Sequence, residues 1–242
     1  MNQSAATCLF RRKLIITAVV IAVTIFINCA ATSSSKVILS PDYKKHPLIN
    51  AALALVILDT KPLVIYQGSV QRALGHGDAE ELARQFFQKR LLSDLSKEVD
   101  LKEVFAQPLL SKYLVTKEVV NRADETVTVE IPTEGTRFDF GSNKADLVLF
   151  LSGIRIGTET DEYYQSRVDY GFNPSVGRHL VYISNFVLWD NRTQNYICYG
   201  RVKSLVPIRE KESVVSEWEE VSKQFVHTIF EPTGFLKRAK SR

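Results

Sequence analysis

From Asp146 to Gly157 the chain reads DLVLFLSGIRIG, a run that is apolar on both alternating faces as far as Leu151. A strand of that kind has no side to offer to water, so it must lie inside a sheet rather than at its margin. Its second half, Ile154-Arg155-Ile156, alternates, which predicts that one face becomes solvated there. Leu180–Trp189 and Tyr196–Ile208 follow as two long alternating runs joined by Asp190-Asn191-Arg192-Thr193-Gln194-Asn195, all turn-forming or polar residues. That pattern predicts a hairpin. Ahead of these, Ala51–Leu58 reads as a short buried strand, Leu63–Tyr66 as its extension or partner after the Lys61-Pro62 turn, and Val127–Ile131 as a strand ended by Pro132.

Two helices carry clear signals. Ala79, Leu82, Ala83, Phe86, Phe87, Leu91 and Leu95 form one stripe, with Asp78 and Glu81 spaced as N-cap and N3 residues. Val214, Trp218, Val221, Phe225 and Ile229 form another between Lys211 and Phe230, which Pro232 and Gly234 stop. Leu101-Val104-Phe105 and Leu109-Leu110 suggest a further helix or turn. Helices at both ends of a strand-rich middle predict an α+β (mixed α/β) fold: one mostly antiparallel sheet with helices packed on one face.

The N-terminus reads differently. Arg11, Arg12 and Lys13 precede fourteen uncharged, mostly apolar residues, Leu14–Ile27, and then Asn28 and Cys29. A positive stretch, an apolar stretch of this length and a cysteine at the cleavage position resemble a bacterial lipoprotein signal peptide. The resemblance implies removal of residues 1–28 and acylation of Cys29. Phe26 and Asn28 depart from the Leu and the small residue that such signals prefer three before and directly before the cysteine. An uncleaved anchor over residues 14–31 and an ordinary secretory signal are the alternatives. Ala30 stands where an Asp would favour retention in the inner membrane, so sorting leans to the outer membrane. Residues 29–45, with a Ser triplet and a Pro, read as a flexible tether, residues 46–235 as a single globular domain, and residues 236–242 as a basic tail.

Composition narrows the partners. Removing residues 1–28 lowers Lys plus Arg from 31 to 28 while Asp plus Glu stays at 27, so the mature chain is nearly neutral and offers no stripe for nucleic acid. Only Cys198 would then remain as a thiol, so stability must come from the core.

Chemistry is sparse. His46, His76, His179 and His227 are scattered, and no metal-binding spacing occurs, so neither cofactor nor metal is expected. Gly75-His76-Gly77-Asp78 precedes a helix and could present backbone N–H groups to an anion, although Asp78 would repel one. Cys198 alternates with Tyr196, Gly200 and Val202, which predicts the sheet face towards the helices and a buried, inert thiol. The polar, Gly-bearing stretch 158–178 carries Tyr163, Tyr164, Tyr170 and Phe172, aromatics of the kind enriched at interfaces, and is the expected contact for a protein partner.

Lys144-Ala145-Asp146-Leu147-Val148-Leu149, then Val187-Leu188-Trp189-Asp190-Asn191-Arg192-Thr193-Gln194, then the Trp218 helix, resemble a group of small envelope lipoproteins. The group includes the penicillin-binding-protein activator lipoproteins, the curli-assembly lipoprotein and the amino-terminal domain of TolB. Its pattern places Gly where this chain has Gln194. Over residues 50–230 the resemblance implies a non-catalytic accessory that binds an unidentified envelope protein while held at a membrane by lipid. Rival expectations are an anchored enzyme with a site near Gly75–Asp78, or a subunit of an oligomeric secretion complex.

Overall fold

The computed structural model describes residues 35–44, 50–59, 61–65, 67–108, 114–120, 126–160, 178–208 and 214–237. In chain order these form strands β1 (Lys36–Leu39), β2 (Ala52–Ile57) and β3 (Leu63–Ile65) and helices α1 (Gln67–Leu74) and α2 (Ala79–Glu98). Strands β4 (Glu103–Gln107), β5 (Leu114–Val120), β6 (Thr126–Pro132), β7 (Leu147–Thr160), β8 (Arg178–Asp190) and β9 (Asn195–Pro207) and helix α3 (Val215–Phe230) complete the fold.

Seven strands make one sheet in the order β1-β9-β8-β7-β2-β4, with β3 also paired to β7. The α+β class holds, with a correction to the sheet. It is mixed rather than mostly antiparallel: β1, β9, β8 and β7 pair antiparallel, whereas β2 and β3 run parallel to β7 and β4 parallel to β2. Parallel neighbours need a crossover. Helices α1 and α2 supply it, returning the chain so that β4 enters beside β2. The segment around Val104-Phe105, expected as a helix or turn, is therefore strand. β3 neither pairs with β2 nor merges into it; the two succeed one another along β7, β2 against Leu147–Leu151 and β3 against Arg155–Gly157.

β7 is interior, as its sequence requires. Leu147, Leu149 and Leu151 face one side with Ile154 and Ile156, and Val148 and Phe150 face the other. The alternation survives an irregularity between Ser152 and Arg155, where Gly153 takes a φ of 60° that suits a residue without Cβ. The helices cover the first face. Phe87 of α2 and Trp218 and Phe225 of α3 close on Tyr182 of β8, with ring centroids 4.8 Å (Phe87–Tyr182), 5.8 Å (Phe87–Trp218) and 4.6 Å (Tyr182–Phe225) apart. Arg90 ties the two helices, bonding buried Asp94 on its own helix at 3.0 Å and Glu219 of α3 at 2.8 Å. The second face is covered by the antiparallel β5–β6 ribbon through Val129 and Ile131, and by Phe138, all packed on Ala54, Val56, Val148, Phe150, Val187 and Trp189.

Both limits expected for the globular domain move outward. Residues 36–39, expected within the tether, form the edge strand, paired from Lys36 opposite Arg201 to Leu39 opposite Cys198. At the other end, Leu236 bridges to Val99, and Lys237 donates its backbone N–H to Glu98 O (2.8 Å) and its Nζ to Ser96 O (2.6 Å). The basic tail thus begins docked.

Gly200 permits the first of these attachments. A Cβ there would lie 1.9 Å from the carbonyl oxygen of Lys36. Gly200→Ala should unseat β1: amides of residues 36–39 should exchange freely with solvent deuterium while those of β7 stay protected. Unchanged protection at 36–39 would mean that β1 is not held as described.

Candidate functional site

The turn joining β8 to β9 gathers the residues that the sequence singled out as Ala-Asp and Trp-Asp, and each has a structural task. Asp146 Oδ2 accepts the Ala52 N–H at 3.0 Å, while Asp146 N–H donates to Ala52 O at 2.9 Å, so this carboxylate starts the β2–β7 ladder. Asp190 Oδ1 accepts from the backbone N–H groups of Arg192 (2.9 Å) and Thr193 (3.3 Å), folding the turn about its own side chain. Asn191 is buried and works as a clamp. Its Oδ1 accepts the Phe138 N–H at 2.7 Å, and its Nδ2 donates to Phe138 O (2.8 Å) and Ala145 O (2.9 Å). Trp189 Nε1 donates to Thr136 O at 3.2 Å. Gln194 has a φ of 56°, the left-handed conformation that glycine adopts without penalty. Gln194 meets that backbone shape at some local cost.

Beside this turn lies a recess of about 370 Å³, lined among others by Asp42, Tyr43, Asp190, Arg192 and Tyr196. Where β1 leaves the sheet, Ser40 N–H donates to Ile197 O at 2.8 Å and the Tyr43 hydroxyl donates to Thr233 O at 2.8 Å. Burial, with smaller contributions from Cys198 and Asp190, pushes the Tyr43 phenol up to about 12. At neutral pH it is a hydrogen-bond donor and neither a base nor a nucleophile. The recess presents hydroxyl, carboxylate, guanidinium and an aromatic ring together, groups suited to holding a polar peptide or sugar edge.

The other residues singled out from sequence do not converge on it. Asp78 is the N-cap of α2, its Oδ1 accepting from Glu80 N (2.9 Å) and Glu81 N (3.3 Å), so a carboxylate already occupies the place an anion would take. Glu81 turns to Arg84 (2.7 Å) and Gln85 (2.5 Å) instead of back to the cap, and the Arg84 hydrogen bond, ahead of that from Gln85, brings its carboxyl down to about 2. Gly75 and His76 are exposed in the preceding turn. Cys198 is fully buried on the helix side, and burial drives its thiol far above the usual range. Its supposed neighbour Tyr196 faces the ribbon side, because a register shift between Leu188 and Trp189 places Ile197 as an extra residue in β9. His227 lies 2.9 Å from Glu98 Oε2, and Lys223 lies 2.9 Å from Glu98 Oε1; these bonds, Lys223 first, hold the Glu98 carboxyl below its ordinary value. Cys29, His46, Tyr163, Tyr164, Tyr170 and Phe172 lie outside the described residues. Among the described residues no cluster of three His, Cys, Asp or Glu could hold a metal, and no helix is long and apolar enough to cross a membrane.

Sequence reading found the turn but not the recess, because Asp42 and Tyr43 were placed in the tether. Their signal was weak: one Tyr after Pro41-Asp42 in a stretch that opens on Ala, Thr and Ser.

Magnitude separates the clamp from the ion pairs. An exposed pair such as Arg84–Glu81 is screened by solvent and adds little, whereas each buried group that loses its partner costs about 1–3 kcal/mol. Asn191→Ala removes three hydrogen bonds made at a buried position, so it should lower unfolding free energy by about 3 kcal/mol or more, read from the denaturant midpoint. A loss no larger than that of Arg84→Ala would contradict the clamp. Tyr43 supplies a pH signature. Its folded value of about 12 exceeds the ordinary 10.0, so its contribution to stability is complete below pH 10 and falls away as pH rises towards 12. Tyr43→Phe should make that part of the stability–pH curve shallower, the remaining slope coming from Cys198, Tyr182 and Tyr199, whose values burial also raises.

No family model matches the chain, and no curated protein does. Among solved structures, the PelC dodecamer from Paraburkholderia phytofirmans is similar over 86% of this chain and 100% of its own, with a TM-score of 0.36 and 10% identity. A single-substitution form of the same dodecamer covers 84% and 97%, with a TM-score of 0.32 and 10% identity. Superpositions this loose carry no inference about fold, assembly or activity.

Proposed function

We propose that this chain is a bacterial envelope lipoprotein, acylated at Cys29, most simply at the outer membrane, that works as a non-catalytic binding or assembly factor for another envelope component. The observation that carries the reading is the spacing between Cys29 and the sheet. Six positions separate Cys29 from Ser35, the residue at which the described fold begins. Six residues reach at most about 20 Å. The domain would therefore sit close above the lipid, with β1 leading from the membrane-proximal end at Lys36 towards the recess at Ser40–Tyr43. A recess at the far end of the edge strand is accessible to a partner in the aqueous compartment. Its groups favour a binding role: Asp190 Oδ1 is committed to the turn, and burial raises the Tyr43 phenol to about 12, which leaves it a hydrogen-bond donor.

Acylation converts a passing contact into residence, since one chain gives only marginal binding, about 10⁴ M⁻¹, and two chains suffice for stable attachment. Mass spectrometry of the mature N-terminus should find a chain beginning at acylated Cys29. Cys29→Ser should leave the precursor unprocessed, as should inhibition of lipoprotein signal peptidase. An intact Met1 in the wild-type protein would overturn the reading.

A further inference from the structure

Tyr182 carries a hydroxyl into the dry interior of the fold. Its ring packs against those of Phe87 and Phe225 on the helix side of β8, and its side chain is fully buried. The hydroxyl has no hydrogen-bond partner among the described residues. A buried hydroxyl that has given up its hydration without replacement is costly, so what surrounds Tyr182 Oη decides how the cost is met.

Tyr182 lines a cavity of about 10 Å³ beneath α2, walled by Ile57 at the end of β2, Ile156 of β7 and Phe87. Two charged residues line it as well, Asp59 and Arg84. Asp59 stands where β2 gives way to β3 along β7. Its Oδ2 accepts the Ile154 N–H at 2.6 Å, which leaves Oδ1 for another donor. Arg84 commits Nε and Nη2 to Glu81, at 2.8 and 2.7 Å, which leaves Nη1. Burial first, and then the nearby Asp59 charge, raise the Tyr182 phenol, yet no hydrogen bond joins the two side chains. Hydroxyl and carboxylate thus face one cavity without touching.

Size decides what can bridge them. A water needs roughly 10–15 Å³ and two to four polar partners, and cavities that stay empty are apolar ones. This cavity admits one water and no organic molecule, and three polar side chains line it. We propose that it is a binding site for a single ordered water that links the Tyr182 hydroxyl to Asp59. The water accepts the Oη–H of Tyr182, donates to Asp59 Oδ1 and has Arg84 Nη1 as a second donor. Hydroxyl and carboxylate are then both satisfied, with about the three bonds usual for a buried water. Asp59 acquires a double task. It holds Ile154 directly and reaches Tyr182 of β8 through the water, so it braces the β7–β8 pair from the helix side where the register shifts between Ser152 and Arg155.

The test is to crystallise the full chain and its Tyr182→Phe variant at a resolution that shows ordered water, and to measure the thermal midpoint of each. In the unsubstituted chain one water should lie about 2.5–3.0 Å from Tyr182 Oη and from an Asp59 oxygen. Phenylalanine keeps the ring and its packing, so the variant should fold. It should lose the water and melt about 2–4 °C lower. A cavity without water overturns the proposal, as does a Tyr182 hydroxyl bonded directly to Asp59. So does a midpoint for Tyr182→Phe that is unchanged or raised, the result expected when a hydroxyl with no partner is removed.

Discussion

The first half of β7, Leu147–Leu151, cannot tolerate water on either face, and most of the architecture follows from covering it. Leu147, Leu149 and Leu151 require the helices; Val148 and Phe150 require the β5–β6 ribbon and Phe138. Its two edges are met differently. On one side β8 and β9 follow it in sequence and pair antiparallel; on the other, β2 and β3 come from the start of the domain and pair parallel. A single strand is thus the seam between a locally connected half-sheet and one that needs a helical crossover. The sheet is mixed for that reason.

That seam also explains what the amino-acid order disclosed. β7, the β8–β9 hairpin and the stripes of α2 and α3 were legible because each carries its periodicity within itself, Ala79, Ala83, Phe87, Leu91 and Leu95 being the plainest case. β4 was not: Glu103–Gln107 is short, half-buried and defined by its partner β2. β1 was hidden by its composition, since Lys36–Leu39 follows a Ser triplet and packs only partly buried side chains on the core. One extra residue in β9 reversed the face assigned to Tyr196, which a strict two-residue alternation cannot foresee. Parallel pairing and edge strands are tertiary facts, and local sequence does not contain them.

The motif residues illustrate a related limit. Ala145-Asp146 and Trp189-Asp190-Asn191 stood out in the sequence and invite a functional reading. Their hydrogen bonds are instead internal: Asp146 to Ala52, Asp190 to its own turn, Asn191 to Phe138 and Ala145. A short motif shared among folds can mark the joinery of the scaffold, and here the recess beside it, with Asp42 and Tyr43 from a distant segment, is the surface left for chemistry.

The pairing of the first strand with the last has a consequence for how the molecule is made. Ser35 and Lys203 are 168 positions apart, and β1 takes its place in the sheet by pairing with β9. Contacts so remote in sequence come at a large loop-closure entropy and form late. The leading end of a nascent chain must therefore wait, unpaired, until almost all of the polypeptide has emerged.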